Sequence, residues 1–221
     1  MYNLMINNID SSETLLSEYL RPKTIEELTL PESVKKRFKK MQDNCTIMNM
    51  LFYGRPGTGK TTLAQLIGRP EDYEIKYVNA SANTTVDYVR NEIISMVSVM
   101  SLFARRRLII IDEAEQMSLK AQAALKIIIE QTSENCRFIF ITNDITKIDE
   151  AIKSRLKVIC FDQIPSQASK IIEDYKKRTV EKMKMKYQEM NLENIEELND
   201  IIVKNYPDYR KIANEMEFAF N

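Results

Sequence analysis

The sequence contains no histidine, only four glycines and only three cysteines among its 221 residues. Without histidine, the chain cannot build a Ser-His nucleophile, an imidazole base or a histidine-ligated metal site. The three cysteines (Cys45, Cys136 and Cys160) are odd in number and far apart. They suit free thiols in a reducing compartment, not a disulfide framework or a zinc site. These absences remove several classes of catalytic and structural site.

Long apolar runs and a net charge are also missing. The longest apolar runs, such as residues 108–111, are far shorter than the roughly 18–20 residues of a membrane helix. The first residues lack the charged and apolar segments of a signal peptide. We therefore expect no membrane partner, and a location in the cytoplasm (the host's, for a viral protein) or in a eukaryotic nucleus. Basic and acidic residues balance at 32 each, so binding to nucleic acid would need a local basic surface.

Short apolar runs alternate with helical patterns along most of the chain. The runs at 48–53, 75–78, 108–111, 137–142 and 158–161 predict strands, and the patterns at 61–67, 86–103 and 118–131 predict helices. This alternation indicates an α/β fold with a parallel sheet flanked by helices. Only helical patterns follow Pro165. We therefore expect an α/β domain at 1–164 and a small all-α lid domain at 165–221.

Three of the four glycines fall within six residues, in a segment that fits the P-loop pattern between a predicted strand and a predicted helix. Successive backbone N–H groups and the helix N-terminus would hold a phosphate there. Lys60 would reach the β- and γ-phosphates, and the Thr61 hydroxyl would bind Mg²⁺. The residues expected to bind the nucleotide in this segment are Gly54, Pro56, Gly57, Thr58, Gly59, Lys60, Thr61 and Thr62.

Two carboxylates end the apolar run at 108–111, about fifty residues after the P-loop. Asp112 would hold Mg²⁺ through water, and Glu113 would orient and deprotonate a water for attack on the γ-phosphate. Ligands of open parallel sheets bind at the carboxyl ends of the strands, where both residues would lie. The P-loop and the acidic pair together predict nucleoside triphosphate hydrolysis.

These motifs, with Asn143 at the end of the next strand, resemble an AAA+ ATPase. The resemblance sharpens to the clamp loader ATPases, the group of replication factor C and the T4-like phage clamp loaders. It runs in order from about residue 15 to 215. The segments that carry it are Tyr-Leu-Arg-Pro-Lys-Thr at 19–24, Val-Asn-Ala-Ser at 78–81, Val-Asp-Tyr-Val-Arg at 86–90, Ala-Gln-Ala-Ala-Leu-Lys at 121–126 with Glu130, Ser-Arg-Leu at 154–156, and Pro-Asp-Tyr-Arg-Lys at 207–211.

The resemblance implies roles for further residues. Asn143 would help to place the attacking water, and Arg21 and Pro22 would lie beside the adenine of ATP. Arg155 would be an arginine finger for the γ-phosphate of a neighbouring subunit. The alternative for Arg155 is a surface arginine that pairs with a nearby acid. Arg210, in the first turn of a last helix capped by Asp208, would contact the γ-phosphate bound to its own subunit.

The resemblance also implies partners: primer–template DNA, a sliding clamp and other loader subunits, in a ring or spiral that is pentameric in the full-length protein. Arg90, Lys120 and Lys126 are the candidates for contacts with the DNA backbone, although a lysine on a helix is often only solvated. Apolar residues at 100, 102 and 103 would face the clamp or, equally, the domain's own core. The predicted function is thus an ATPase subunit that uses ATP and Mg²⁺ to load a clamp on primed DNA.

The sequence departs from the family pattern at residues 82–85, at Arg55 of the P-loop, at Leu156, which replaces a cysteine, and beyond the lid. Residues 82–85 replace an acidic and a basic residue that follow the Asn-Ala-Ser segment in the family. The resemblance also implies a collar domain of about a hundred residues beyond the lid; this sequence ends at residue 221, either because it is part of a longer protein or because the protein is naturally short. Another AAA+ replication or repair ATPase, and an ATP-binding scaffold with little hydrolysis, remain the alternatives. A GTPase is disfavoured because residues 142–145 lack the guanine-reading Asn-Lys-x-Asp sequence.

Overall fold

The computed structural model of the protein describes residues 14–81, 91, 93–97, 106–162, 168–187 and 192–220. They form two compact units. The α/β unit comprises the described parts of Thr24–Leu28 and Glu32–Gln163, and the helical unit comprises those of Met1–Lys23, Thr29–Pro31 and Ile164–Asn221.

A five-stranded parallel sheet forms the centre of the α/β unit, with strand order β2-β3-β4-β1-β5. The apolar residues of the three inner strands are almost all buried, as expected when helices cover both faces of a parallel sheet. The predicted α/β class is therefore confirmed. The strands are β1 Met50–Tyr53, β2 Tyr73–Asn79, β3 Arg106–Asp112, β4 Cys136–Thr142 and β5 Lys157–Cys160.

The helices agree with the predicted segments where those are described. Of the segment predicted as a helix at 86–103, residues 91 and 93–97 are described, and they are helical. Within the described residues, 3₁₀ turns lie at Ala114–Gln116 and Ile145–Lys147. The α-helices with assigned limits are α1 Leu16–Tyr19, α2 Glu32–Asp43, α3 Lys60–Ile67, α4 Leu119–Gln131, α5 Glu150–Lys153, α6 Ala168–Lys186, α7 Leu192–Asn205 and α8 Tyr209–Phe220.

Helix α4 begins where the sequence predicts, because the Ser118 hydroxyl accepts a hydrogen bond from the Ala121 backbone N–H. Its buried side packs into the core of the α/β unit beside β3 and β4. Gln122, on that buried side, hydrogen bonds to the carbonyls of Met117 and Lys147 and to the N–H of Asp149. This amide ties α4 to the turns that follow β3 and β4.

The helical unit has its own apolar core, to which α1 contributes Leu16. The Leu16 N–H also donates to the Glu217 carboxylate on α8 at 3.1 Å. Residues 14–23 therefore group with the C-terminal helices, whereas the sequence predicts them in the first domain. An apolar pattern of two or three residues carries no information about which distant helices will cover it. None of the helices in the described ranges has the length and apolar character to cross a membrane.

Candidate functional site

The loop between β1 and α3 turns sharply because its three glycines adopt positive φ angles. Gly54, Gly57 and Gly59 have φ values of 143°, 75° and 91°, a region that residues with a Cβ rarely enter. Asp162, just after β5, fixes the start of the loop by accepting a hydrogen bond from the Arg55 N–H at 2.7 Å. The loop ends at the N-terminus of α3, where unpaired N–H groups and the helix dipole favour an anion.

Lys60 is the first residue of α3, and its side chain folds back over the loop. Its ammonium donates to the carbonyls of Gly54 and Arg55, both at 2.7 Å, and the residue is buried. Thr58 is buried as well, and its hydroxyl donates to the Arg55 carbonyl. The loop thus combines inward-turning backbone with one buried positive charge, which is the chemistry that phosphate binding requires.

The hydroxyl of Thr61 and the carboxylate of Asp112 lie side by side at the end of β3. Thr61 Oγ1 donates to Asp112 Oδ2 at 2.9 Å, and Tyr77 of β2 donates its phenolic hydroxyl to the same oxygen at 2.5 Å. Hydroxyl and carboxylate oxygens are the ligands that Mg²⁺ prefers. The two residues predicted to hold the metal are therefore adjacent and chemically suited to it.

Glu113 follows Asp112 in a left-handed backbone conformation, with φ of 53°. Such a conformation costs a residue with a side chain about 1–3 kcal/mol and persists only where the surroundings hold it. Here the Glu113 N–H donates to the Asp112 carboxylate at 2.9 Å. The chain turns away from the strand at this point, so the Asp112 and Glu113 side chains occupy different positions at the end of the sheet.

Asn143 follows β4 at the same edge of the sheet, since all five strands are parallel. Its backbone N–H and its side-chain amide both donate to Glu115, in the 3₁₀ turn after Glu113. Asp144 is held by the Thr146 hydroxyl and the Thr146 N–H, which keep the pKa of Asp144 below its ordinary value of 3.8. The structure thus brings Lys60, Thr61, Asp112, Glu113 and Asn143 to neighbouring strand ends.

Arg155 lies after α5 and is engaged within its own chain. Its guanidinium donates twice to Glu130, at the end of α4, and once to the Ala151 carbonyl. Its described contacts include none with the P-loop. This geometry agrees with the alternative considered from sequence, an arginine paired with a nearby acid, and leaves the trans role as a prediction.

The remaining predicted site residues lie elsewhere. Arg21 and Pro22 belong to the helical unit, where Arg21 pairs with Glu18 at 2.8 Å. Arg210 is exposed in the first turn of α8, and Asp208 accepts from the Lys211 N–H as a helix cap. Thr62 continues α3 and Pro56 lies in the turn of the loop. On α4, Lys120 is exposed and Lys126 half-buried; Arg90 and residues 100, 102 and 103 lie outside the described residues.

Four partners of the site are not apparent from the sequence: Tyr77, Glu115, Glu130 and Asp162. Three of them contact a predicted site residue at least 25 positions away, whereas Asp162 contacts Arg55, a residue of the P-loop that is not among the predicted site residues. Glu115 is the one with a local cue, because it continues the acidic run of Asp112 and Glu113. The other three depend on strand order and helix packing, which no local pattern encodes.

A glycine cradle with a buried lysine, beside a hydroxyl–carboxylate pair at the carboxyl edge of a parallel sheet, defines a P-loop nucleotide site. A family model described as the ATPase family associated with various cellular activities (AAA) matches residues 50–164, just over half of the chain. The chain belongs to this AAA family of ATPases. The family confirms the predicted P-loop ATPase class and implies that the site binds a nucleotide.

Proteins with similar sequences include subunits of clamp loaders, the family that the sequence resembles. The sliding-clamp-loader large subunit of Enterobacteria phage T4 is 30% identical over 213 residues, covering 95% of this chain and 66% of that protein. A probable replication factor C subunit 5 of Dictyostelium discoideum is 36% identical over 162 residues, covering 70% of this chain and 47% of its own length. The chain therefore spans about half to two thirds of the length of these relatives.

Solved structures support the fold. The ORC1 protein of Aeropyrum pernix, in complex with DNA, has a TM-score of 0.64 at 18% identity and covers 96% of this chain and 65% of its own. The RuvB Holliday junction branch migration motor of Thermotoga maritima has a TM-score of 0.55 at 16% identity, covering 92% and 74%. At such low identities the likeness concerns the fold alone, and it supports the AAA+ arrangement of an α/β sheet with a helical region.

Proposed function

We propose that this chain is the ATPase part of a sliding-clamp loader subunit, which uses ATP binding and hydrolysis to place a clamp on primer–template DNA. The observation that carries the proposal is the similarity to clamp loader subunits along nearly the whole chain, together with a complete set of P-loop residues at one sheet edge. A scaffold that binds ATP without hydrolysing it would have no need of both the metal-side carboxylate and the neighbouring Glu113.

The site's residues suggest a division of labour. The P-loop N–H groups and Lys60 would bind the phosphates, and Thr61 with Asp112 would hold Mg²⁺, which neutralises charge on the phosphate oxygens when bound. Glu113 would accept a proton from the attacking water. The water oxygen then bonds to the γ-phosphorus, the bond from that phosphorus to the bridging oxygen breaks, and ADP leaves with the electron pair.

Arg155 would complete the site of a neighbouring subunit, as the resemblance implies. The Arg155–Glu130 pair is partly exposed, and surface ion pairs contribute only about 0–1 kcal/mol, so this contact can yield when a neighbour presents a triphosphate. Arg210, Arg21 and Pro22 would act on the bound nucleotide from the helical unit. Arg90, Lys120 and Lys126 would follow the DNA phosphates. The protein would then work in the cytoplasm, or in the nucleus of a eukaryote, within a multi-subunit loader.

The first test is the ATPase rate per protomer of the full chain, measured against protein concentration, with and without primer–template DNA. We expect the rate to rise with concentration and to rise further with DNA, because the finger is supplied in trans. A low rate that stays flat in both titrations, with ATP still bound, would contradict assembly through this chain alone and favour the scaffold alternative.

Three variants separate the steps of that reaction. Lys60→Ala should abolish nucleotide binding in a fluorescent-nucleotide titration.

Glu113→Gln should bind ATP with unchanged affinity but not turn it over, and fast turnover would exclude Glu113 as the base. Arg155→Ala should bind ATP normally and lose about 10³-fold or more in hydrolysis within the assembly. Wild-type hydrolysis by Arg155→Ala in an assembled complex would refute the finger.

A further inference from the structure

Glu115 lies two residues after the proposed base, in the 3₁₀ turn Ala114–Gln116, and its carboxylate reaches across to the end of β4. Its Oε1 atom accepts two hydrogen bonds from Asn143, from the backbone N at 3.2 Å and from Nδ2 at 3.1 Å. Its Oε2 atom is buried and has no hydrogen-bond partner within the described ranges.

A buried carboxylate oxygen without a donor costs free energy, because water is lost and no protein group replaces it. A smaller or apolar residue at this position would avoid that cost. A contribution to stability therefore does not explain the carboxylate at position 115. Its hydrogen bonds to Asn143 point to a different role.

The chemistry of the pair fixes the orientation of the Asn143 amide. An ionised carboxylate accepts hydrogen bonds and cannot donate them, so Asn143 can present only its NH₂ group to Glu115. The amide oxygen and nitrogen are nearly equal in size, and an amide without such a partner can turn over. With Glu115 in place, the Asn143 amide oxygen points away from the carboxylate, on an exposed residue at the carboxyl edge of the sheet.

We propose that Glu115 is a positioning residue for ATP hydrolysis, which turns the Asn143 amide oxygen towards the attacking water by holding the amide NH₂ group. The inference rests on the proposed ATPase function. The Glu113 carboxylate and the Asn143 oxygen are two acceptors, so together they bind both hydrogens of one water. A lone pair of the water oxygen is then left for the γ-phosphorus. A reversed Asn143 amide would instead donate to the water oxygen and occupy a lone pair.

The kinetic test is a double-mutant cycle with Glu115→Ala, Asn143→Ala and the double variant. Glu115→Ala should lower kcat by about 10–100-fold, the size of effect known for residues that orient the ligands of a metal site, with unchanged nucleotide affinity. The double variant should be no slower than Asn143→Ala, because Glu115 acts through Asn143. If the loss of kcat in the double variant equalled the product of the two single losses, the proposal would be overturned.

Two further variants bracket the result. Glu115→Gln keeps an acceptor oxygen for Asn143 but can itself turn over, so its kcat should lie between those of the wild type and Glu115→Ala. Gln116→Ala, at the exposed neighbouring position in the same turn, should retain the wild-type kcat. Equal losses in Glu115→Ala and Gln116→Ala would mean that the turn, not the carboxylate, matters.

A second measurement needs no turnover and therefore stands apart from the ATPase function. The side-chain amide of Asn143 is observed by ¹H–¹⁵N NMR in the full chain without nucleotide, and is assigned by its loss in Asn143→Ala. In Glu115→Ala its two amide protons should move towards the values of a solvated asparagine, while Gln116→Ala leaves them in place. An unchanged Asn143 signal in Glu115→Ala would overturn the positioning role even if the chain proves to be an active ATPase.

Discussion

At the scale of single residues, left-handed backbone conformations shape the site. Gly54, Gly57 and Gly59 adopt them without strain, whereas Glu113 adopts one at a cost. In the proposed mechanism the glycines would let the backbone approach a phosphate closely, and Glu113 turns a carboxylate out of the line of its strand. In the proposed reaction, the glycines would lie beside the bound phosphate and Glu113 beside the attacking water.

The glycines differ in how much space surrounds them. A Cβ at Gly54 would come within 3.0 Å of Asp162 Oδ1 and 3.2 Å of the Asp162 backbone N, whereas a Cβ at Gly59 would meet nothing within 4 Å. Gly54→Ala should therefore lose about 1–3 kcal/mol of unfolding free energy, and Gly59→Ala, which has backbone strain alone, should lose less. Urea denaturation of the two variants checks the order, and a larger loss in Gly59→Ala would contradict it.

At the scale of secondary structure, an ion pair between Glu74 and Arg107 links the neighbouring strands β2 and β3. Glu74 lies opposite Arg107, contacts it at 3.2 Å, and contacts Lys76 at 2.8 Å. Arg107 is largely buried and also donates to the Val97 carbonyl. Hydrogen bonding from Lys76, with a lesser contribution from Arg107, holds the pKa of Glu74 below its ordinary value of 4.5.

A lowered carboxyl pKa stabilises the fold at a pH above the unfolded-state value, and the stabilisation disappears as the pH falls through the folded-state value. Glu74→Gln should therefore be less stable than the wild type at neutral pH, and the difference should shrink below pH 4.5. Denaturant unfolding of both proteins at about pH 7 and about pH 3.5 measures this difference in unfolding free energy. Glu71→Gln, at an exposed position, is the control. A difference that grows on acidification would refute the assignment.

The strands and long helices could be predicted from the sequence because apolar runs and 3.6-residue periodicity are local properties. Short elements such as α1 and α5, at four residues each, are too brief to show a period. The positions of the P-loop, Asp112 and Asn143 at strand ends could be predicted, because glycine spacing and the ends of apolar runs are visible along the chain. Glu130 could not be identified as the partner of Arg155, because it contacts that residue only after α4 packs against α5.

At the scale of the whole molecule, one of the two units is built from segments far apart in the chain. Leu16 is fully buried in the helical unit, beside residues of α7 and α8, while its neighbour Leu15 is 61% exposed. Leu16→Asp places a charge in an apolar core and should destabilise the helical unit by several kcal/mol, on the order of the cost of an unpaired buried charge. Leu15→Asp should have little effect.

Hydrogen exchange followed by mass spectrometry distinguishes a local from a global effect of that change. In Leu16→Asp, exchange should accelerate in peptides from α6, α7 and α8, while peptides from β3 and β4 keep their protection. Protection in the two units reports their separate opening, since each has its own core. Equally accelerated exchange in the helical and α/β units would show that the units unfold together. Unchanged exchange in both units would show that α1 contributes little to stability.

The discontinuous helical unit also constrains the order of events on the ribosome. Its first segment, with Leu16, is synthesised before the α/β unit, and its remaining helices come after it. Every strand of the described sheet has been synthesised once residue 160 is added, so the sheet can close before the last helices are complete. Leu16 must wait for α8, some two hundred residues later, before its hydrogen bond to Glu217 can form. During that interval the Leu16 side chain lacks the α7 and α8 residues that bury it in the folded helical unit.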